Sequence, residues 1–269
     1  MKVVTMIPAR MGSTRVKNKN IRLINGTTPP HGRTGKIWAM AQGVKSAKKR
    51  HPNAEYYLFT DSDILHHPDN VSELIYKAIN EKLALVSLIV KLRCKSIWEI
   101  FLIPAYIFFF QKLYPFSWVN DPKNITSAAA GGCMLVNCQE LEKAGGLEAV
   151  RAATIDDCAM ALIIKRTRPI WLGLTESTKS SRKYQFLHEI TKMVCRTAFV
   201  QLKYSVINLL GTIIGMVIVY MVPLICIIIA LISKDILLLF LGFMGWIIMF
   251  LAYIPTLKLY TRSVWEAGL

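Results

Sequence analysis

Tyr56-Tyr57-Leu58-Phe59-Thr60-Asp61-Ser62-Asp63-Ile64 decides how this chain is read. A short aromatic and aliphatic run leads straight into two carboxylates. Such a run reads as a buried strand, here spanning Tyr56–Ile64. Residues i and i+2 of a strand share a face, so Asp61 and Asp63 are expected to converge at the carboxyl end, where open α/β sheets bind ligands. Paired carboxylates there suit a hard divalent cation, Mg²⁺ or Mn²⁺, that also holds a diphosphate. The alternative is a loop with two solvated Asp residues.

Outward from this stretch the chain alternates strand and helix. Lys2–Ile7 reads as a first strand, Pro8 to His31 as a loop, and Thr34-Gly35-Lys36 as the opening of a helix over Ile37 to Lys49. After the Asp-x-Asp strand, Pro68-Asp69-Asn70 starts a helix over Val71 to Lys82, with Asp69 or Asn70 able to cap it, and Leu83–Leu92 is β-rich. This order implies an α/β layer fold. Thr126–Val136 is a small-residue stretch feeding a strand, and small residues allow close approach to the backbone. Leu141 to Arg151 reads as a helix broken at Gly145-Gly146. Ile155-Asp156-Asp157-Cys158 begins a further helix that runs to Lys165. Acidic residues at a helix start are commonly caps, which is one reading of this pair.

The 269 residues carry a formal charge of +16 and a mean hydropathy of +0.38, both unevenly spread. No Asp or Glu precedes Glu55, whereas twelve Lys and Arg residues do. That block favours an anionic partner. No nucleic-acid module accompanies it, so nucleotide phosphates and acidic lipid rank above nucleic acid. The six cysteines form no C-x-x-C pair, which fits reduced thiols in a cytosol-facing protein. Only five residues lie between Lys2 and Pro8, too few for a signal-peptide core.

The apolar residues concentrate after Tyr204. Val206–Ile232 and Ile236–Leu257 are uncharged and long enough to span a bilayer. Lys and Arg gather before the first and recur after the second as Lys258 and Arg262, while the turn holds Lys234 beside Asp235. That bias places both flanks in the cytoplasm, as a multi-pass inner-membrane protein with a cytoplasmic catalytic domain. Tyr184 to Val200 interleaves apolar and basic residues as an interfacial amphipathic helix does. Ile97–Phe110 is apolar but shorter than a span, and reads either as a buried helix or as one lying at the membrane surface.

In order, these pieces resemble the membrane-bound family 2 glycosyltransferases, and more closely the hopene-associated (hopanoid-biosynthesis-associated) glycosyltransferases. The resembling text is Pro30–Ala39, Thr60–Pro68, Leu102–Asp121 with Trp118-Val119-Asn120-Asp121-Pro122, Ala128–Val136, Ile155–Ala159, Ile170–Thr175 and Arg196-Thr197-Ala198-Phe199. The resemblance implies a GT-A-like nucleotide-diphospho-sugar transferase domain of Rossmann-like α/β type, followed by a transmembrane helical hairpin. It implies five segments: a basic leader with the first strand (1–28), the catalytic domain (29–183), an interfacial helix (184–204), two transmembrane helices (205–260) and a cytoplasmic tail (261–269). The implied partners are a nucleotide sugar donor, a UDP-sugar, and a lipid acceptor. The implied cofactor is a divalent cation, Mg²⁺ or Mn²⁺, held by Asp61 and Asp63. Asp157 matches the general base, with Asp156 raising its pKa as a like-charge neighbour. Gly35-Lys36 matches the position near the nucleotide phosphates, with Gln42 on the same helix and Asp61 on the same side. Gln201-Leu202-Lys203-Tyr204 is a degenerate relative of a Q-x-x-R-W motif and carries no assigned role.

The front departs from that family. Between Ile7 and Thr34 there is no room for a full strand–helix–strand and no acidic residue to hold the nucleotide base. The chain is therefore expected to be N-terminally incomplete relative to the family and weakly active or inactive. Losing such a carboxylate costs about 1.5–3 kcal/mol. Ile7–Ile21 instead resembles the opening of the sugar-acid cytidylyltransferases, whose basic loop holds the triphosphate of CTP; that puts Arg10 at a nucleotide phosphate. CTP-dependent activation of a sugar acid is thus the alternative activity, and a degenerate non-catalytic homologue the third reading.

Overall fold

The computed structural model describes residues 2–8, 24–153, 155–202 and 205–260. The chain forms two compact units, Met1–Arg93 with Phe110–Lys183 and Cys94–Phe109 with Tyr184–Leu269.

The first unit is built on a mixed sheet. Its strands are β1 (Val3–Met6), β2 (Tyr56–Thr60), β3 (Ile64–Leu65), β4 (Leu85–Lys91), β5 (Cys133–Asn137) and β6 (Ile170–Ser180), in the order β1-β2-β5-β4-β6-β3. β1 runs parallel to β2, and β4 parallel to β6, while β5 lies antiparallel between β2 and β4. The helices are α1 (Gly35–Arg50), α2 (Asn70–Asn80), α4 (Phe116–Asn120), α5 (Cys138–Lys143) and α6 (Asp156–Lys165), and α3 (Ile97–Leu113) bridges the two units in sequence.

All five residues of β2 are buried, as expected of an unbroken apolar run covered on both faces. Alternate residues point to opposite faces. Tyr56, Leu58, Val86, Leu88, Val90, Cys133 and Leu135 form one cluster with Leu74 and Ala78 of α2. α6 packs against β4 and β6, and α1 against β1.

Four expectations change. The strand at Tyr56 ends at Thr60 rather than running to Ile64: Asp61-Ser62-Asp63 is a turn, closed by Ile64 N–H donating to the Asp61 carbonyl at 3.3 Å. Asp and Ser are turn formers poorly suited to a ladder. The chain re-enters the sheet at Ile64, against Ser180 of β6. Second, Asp69 does not cap α2 with its side chain, which lies 3.4 Å from His67 Nδ1 instead, and Asn70 is buried within the helix start. Third, α5 begins at Cys138, because Asn137 Oδ1 accepts from Gln139 N–H and Glu140 N–H as an N-cap. Fourth, the sequence reading passed over β6, an eleven-residue strand of interrupted hydrophobicity paired to both β4 and β3.

The small-residue stretch runs along α6. Lys165 Nζ, near the helix's end, donates to the carbonyls of Trp118, Val119 and Thr126 at 3.1, 2.7 and 2.6 Å. Asn120 pairs with both backbone groups of Leu172, at 2.8 and 3.1 Å. These contacts fix the run that leads into Ala128 and Ala129, both buried. Without β-carbon branches to clear, the backbone there lies close enough to α6 for Cys158 Sγ to reach the Ala129 carbonyl at 3.6 Å.

The second unit holds the first part of α3, then α7 (Leu187–Gln201), α8 (Val206–Ser233) and α9 (Ile236–Leu259). α8 and α9 are long and apolar enough to cross a membrane. Lys234 closes α8 in the left-handed conformation, its N–H donating to the Ala230 carbonyl, and Asp235 Oδ1 caps α9 by accepting from Leu238 N–H at 3.0 Å. The two helices touch at Gly242, where a β-carbon would fall 2.8 Å from Ile227 Cγ1 and 3.0 Å from the Pro223 carbonyl. On α3, Glu99, Ile103, Pro104 and Ile107 are buried while Ile97, Trp98 and Phe101 are exposed, so one face is covered and another is not. Phe108 meets Tyr253 edge to face at 4.9 Å between centroids.

Candidate active site

Three element ends meet around one ammonium. α1 begins at Gly35 after Thr34 and places Lys36 in its first turn. The turn after β2 carries Asp61 and Asp63, and the first turn of α6 carries Asp156 and Asp157. Lys36 Nζ lies 3.2 Å from Asp61 Oδ1 and 3.2 Å from Asp156 Oδ2. Asp156 is the more enclosed partner, its side chain 12% exposed against 40% for Asp61. Burial pulls the Lys36 pKa down, but Asp156, Asp61 and Asp157 together outweigh it and hold the amine well above its ordinary value. Lys36 is therefore a fixed positive charge at a helix N-terminus, the kind of place that receives phosphate.

Asp157 turns elsewhere. Its Oδ2 accepts from Gly131 N–H at 2.7 Å and its Oδ1 from Cys158 N–H at 2.8 Å. The second bond is local, as in a helix cap; the first reaches across to the small-residue stretch. Asp156 makes no capping bond and faces Lys36. Capping thus accounts for one of the four carboxylate oxygens of this pair. Burial, and then the Asp156 charge, push the Asp157 carboxyl up to about 6, against the opposing pull of Lys36 and the two N–H donors. Burial likewise raises the Asp61 carboxyl, with Lys36 opposing and Asp63 adding to the rise.

Asp63 is held from β6: Ser180 Oγ donates to its Oδ2 at 3.0 Å, and its carbonyl accepts from Ser181 N–H at 2.8 Å. Asp61 and Asp63 therefore come together through a turn pinned on both sides rather than through strand periodicity. Two carboxylates of this kind suit Mg²⁺ or Mn²⁺, which take oxygen ligands and complete their shell with substrate phosphates. Among the described residues no third His, Cys, Asp or Glu joins them in a group that could hold a metal ion.

Gln42 is spent on local structure, its Oε1 accepting from Thr27 N–H at 2.9 Å. Gly35 has open space around its α-carbon. Arg10 and most of the segment resembling cytidylyltransferases lie outside the described residues. Tyr114, which the sequence reading did not single out, packs beside this cluster: burial, then Cys158 and Asp157, raise its hydroxyl pKa. Ser180 was also missed, since a Ser at the end of a polar strand carries no local signal.

The sequence model of glycosyl transferase family 21 matches residues 14–266. The chain belongs to glycosyl transferase family 21. The match supports a glycosyltransferase of GT-A-like type, with the number 21 where the resemblance had pointed to family 2. No curated protein matches the chain at a significant level. Among solved structures, glucosyl-3-phosphoglycerate synthase from Mycobacterium tuberculosis in complex with phosphoglyceric acid is similar at 18% identity and a TM-score of 0.34, over 63% of this chain. The present chain spans 55% of the length of that one.

A methyl group tests the cluster's geometry. In this family 21 chain a β-carbon on Gly131 would sit 3.0 Å from Lys36 Nζ and 3.1 Å from Asp157 Oδ2. Gly131→Ala is expected to displace both groups by fractions of an ångström and lower sugar transfer about 10- to 100-fold, with the melting temperature little changed. Transfer at the parent rate would show that the site tolerates a wider spacing.

Proposed function

We propose that this family 21 chain moves a sugar from a nucleoside-diphosphate sugar, a UDP-sugar, to a hydroxyl of a membrane lipid, with inversion at the anomeric carbon. The observation that carries the reading is the separation of carboxylate roles around Lys36. Asp61 and Asp63 form a phosphate-and-cation side; Asp157, raised to about 6 and held by the Gly131 and Cys158 N–H groups, forms a base side. In the proposed step Asp157 takes the acceptor hydroxyl proton, the oxygen attacks the anomeric carbon, and the bond to the diphosphate breaks. Lys36 holds the charge developing on the leaving diphosphate. A divalent cation bound by Asp61 and Asp63 supplies further neutralisation of that charge. A lipid acceptor, of hopanoid type by the resemblance, fits two helices able to cross a membrane in the same chain. The basic flanks favour a cytoplasmic catalytic unit at the inner membrane.

Asp157→Asn keeps the shape but takes no proton near neutrality. Transfer of label from UDP-glucose and other UDP-hexoses into membrane lipid is expected to fall about 10²–10⁴-fold, with UDP affinity near the parent's. Parent-like transfer by this variant would remove the base assignment. A parent with no transfer and no cation-dependent UDP binding would favour the degenerate homologue.

The pH dependence has a definite sign. A base works ionised, so kcat/KM should be flat above about 6 and fall tenfold per pH unit below it. Asp156→Asn removes the like charge that raises Asp157, so the midpoint should move to lower pH. A midpoint that stays put or rises would separate the two carboxylates.

The cation reading predicts that Asp63→Ala loses Mn²⁺-dependent UDP binding while keeping its melting temperature, because the backbone bond from Ser181 remains. Equal cation dependence in both proteins would reject this site.

For topology, Ser233→Cys at the end of α8 should react with an impermeant thiol reagent only from outside the cell. Labelling only from the cytoplasmic side would invert the orientation.

A further inference from the structure

Beneath the carboxylate turn runs a row of polar side chains that no step above uses. Thr60 and Asn70 are buried at 3% and 1% exposure. Asn70 Nδ2 lies 2.9 Å from His66 Nδ1, His66 Nε2 lies 2.7 Å from Thr60 Oγ1, and Thr60 Oγ1 donates to the Gly132 carbonyl at 2.9 Å. The directions are mutually fixed. Thr60 has one hydroxyl hydrogen, and the Gly132 carbonyl at 2.9 Å takes it in preference to the Asp61 carbonyl at 3.4 Å. The hydroxyl must then accept from His66 Nε2–H, which leaves Nδ1 as the acceptor facing the Asn70 amide. The row starts at the first turn of α2, passes Thr60 just before the Asp61–Asp63 turn, and ends on the carbonyl of Gly132, the residue after Gly131, whose N–H holds Asp157.

We propose that Thr60 and His66 are positioning residues: the Asn70–His66–Thr60–Gly132 chain of hydrogen bonds sets the separation between the Asp61-x-Asp63 turn and the amide that holds Asp157. This rests on Asp157 as the base. Along the strands, the turn and the Gly131-Gly132 segment are joined by the pairing of Thr60 with Cys133, the last rung between β2 and β5. Beyond that rung the ladder stops, and the Thr60 hydroxyl carries the register one step further. Donor phosphate on one side and acceptor hydroxyl on the other are then held at a fixed distance. The groups facing Asp157 are Asp156, Lys36, Cys158 and Tyr114, and none belongs to the row. A change at Thr60 therefore reaches Asp157 through the Gly131 amide.

Thr60→Val removes the hydroxyl at nearly constant shape, and Thr60→Ser restores it. Both partners, His66 and the Gly132 carbonyl, lose a bond in the Val variant, so a lower melting temperature is expected whatever the role, and does not decide. Four readings do. In Thr60→Val, kcat for UDP-hexose transfer should fall tenfold or more, and Mn²⁺-dependent UDP affinity should stay within about threefold of the parent. The acid-limb midpoint should rise, because a loosened N–H stabilises the carboxylate less. Amide exchange over residues 128–133 should quicken. Thr60→Ser should return all four towards the parent, and His66→Ala should show a milder form of the Val pattern, since the Thr60–Gly132 bond survives. Parent-like kcat and midpoint in Thr60→Val, with Asp157→Asn silent, would overturn the positioning role and leave the base assignment standing. Transfer unimpaired in Asp157→Asn would instead remove the base. If the parent transfers no UDP-hexose, exchange decides: unchanged rates over 128–133 in Thr60→Val overturn the inference, and faster rates reversed by Ser uphold it.

Discussion

One ammonium organises the active face. Asp61, Asp156 and Asp157 would repel one another if brought together unaided, and burial adds to the cost of keeping them ionised. Lys36 meets two of them at 3.2 Å, and so the end of β2 and the starts of α1 and α6 can share a small space. The surrounding chain is arranged to admit that nitrogen. Gly131 has no side chain where the Lys36 and Asp157 tips pass, and Lys165 ties down the run that leads to it. The same charge that lets these carboxylates share a space is, in the proposed function, the one that meets the diphosphate. Structural and chemical demands therefore fall on a single side chain.

Much of the fold was legible because its signals are local. β2 and β4 are dense apolar runs, α1 starts at a Gly-Lys after a Thr, and the last two helices are uncharged over more than twenty residues. What escaped depends on partners distant in sequence. β6 mixes Gly, Thr, Glu and Lys, and becomes a strand because β4 and β3 offer ladders to it. The Asp-x-Asp segment was placed correctly at a strand's carboxyl end, but its geometry comes from a turn and from Ser180, over a hundred residues away. The Asp156-Asp157 pair was legible as a candidate. Its contacts were not, since the Gly131 amide and the Lys36 ammonium that the two carboxylates meet come from other elements.

The helical hairpin is held by a different physics. The two helices are long and apolar enough to cross a membrane, and for such helices close packing and end chemistry matter more than leaving water. Gly242 lets α9 rest on the backbone of α8 at Pro223, and the proline ring sits against Gly245. The turn is specified at both ends by Lys234 in the left-handed conformation and the Asp235 cap. A proline inside a spanning helix is tolerated where a neighbour closes around it.

The position of β1 has a consequence for solubility. It is the outermost strand beside β2, and among the described residues nothing pairs with its far side. An open strand edge is a template on which another molecule's strand can grow. This edge offers only four residues, bracketed by a lysine at position 2 and a proline at position 8 that has no amide hydrogen to give. Any added strand would meet a charge at one end and a missing donor at the other. The brevity and the two flanking residues limit what an added strand could pair with along this rim.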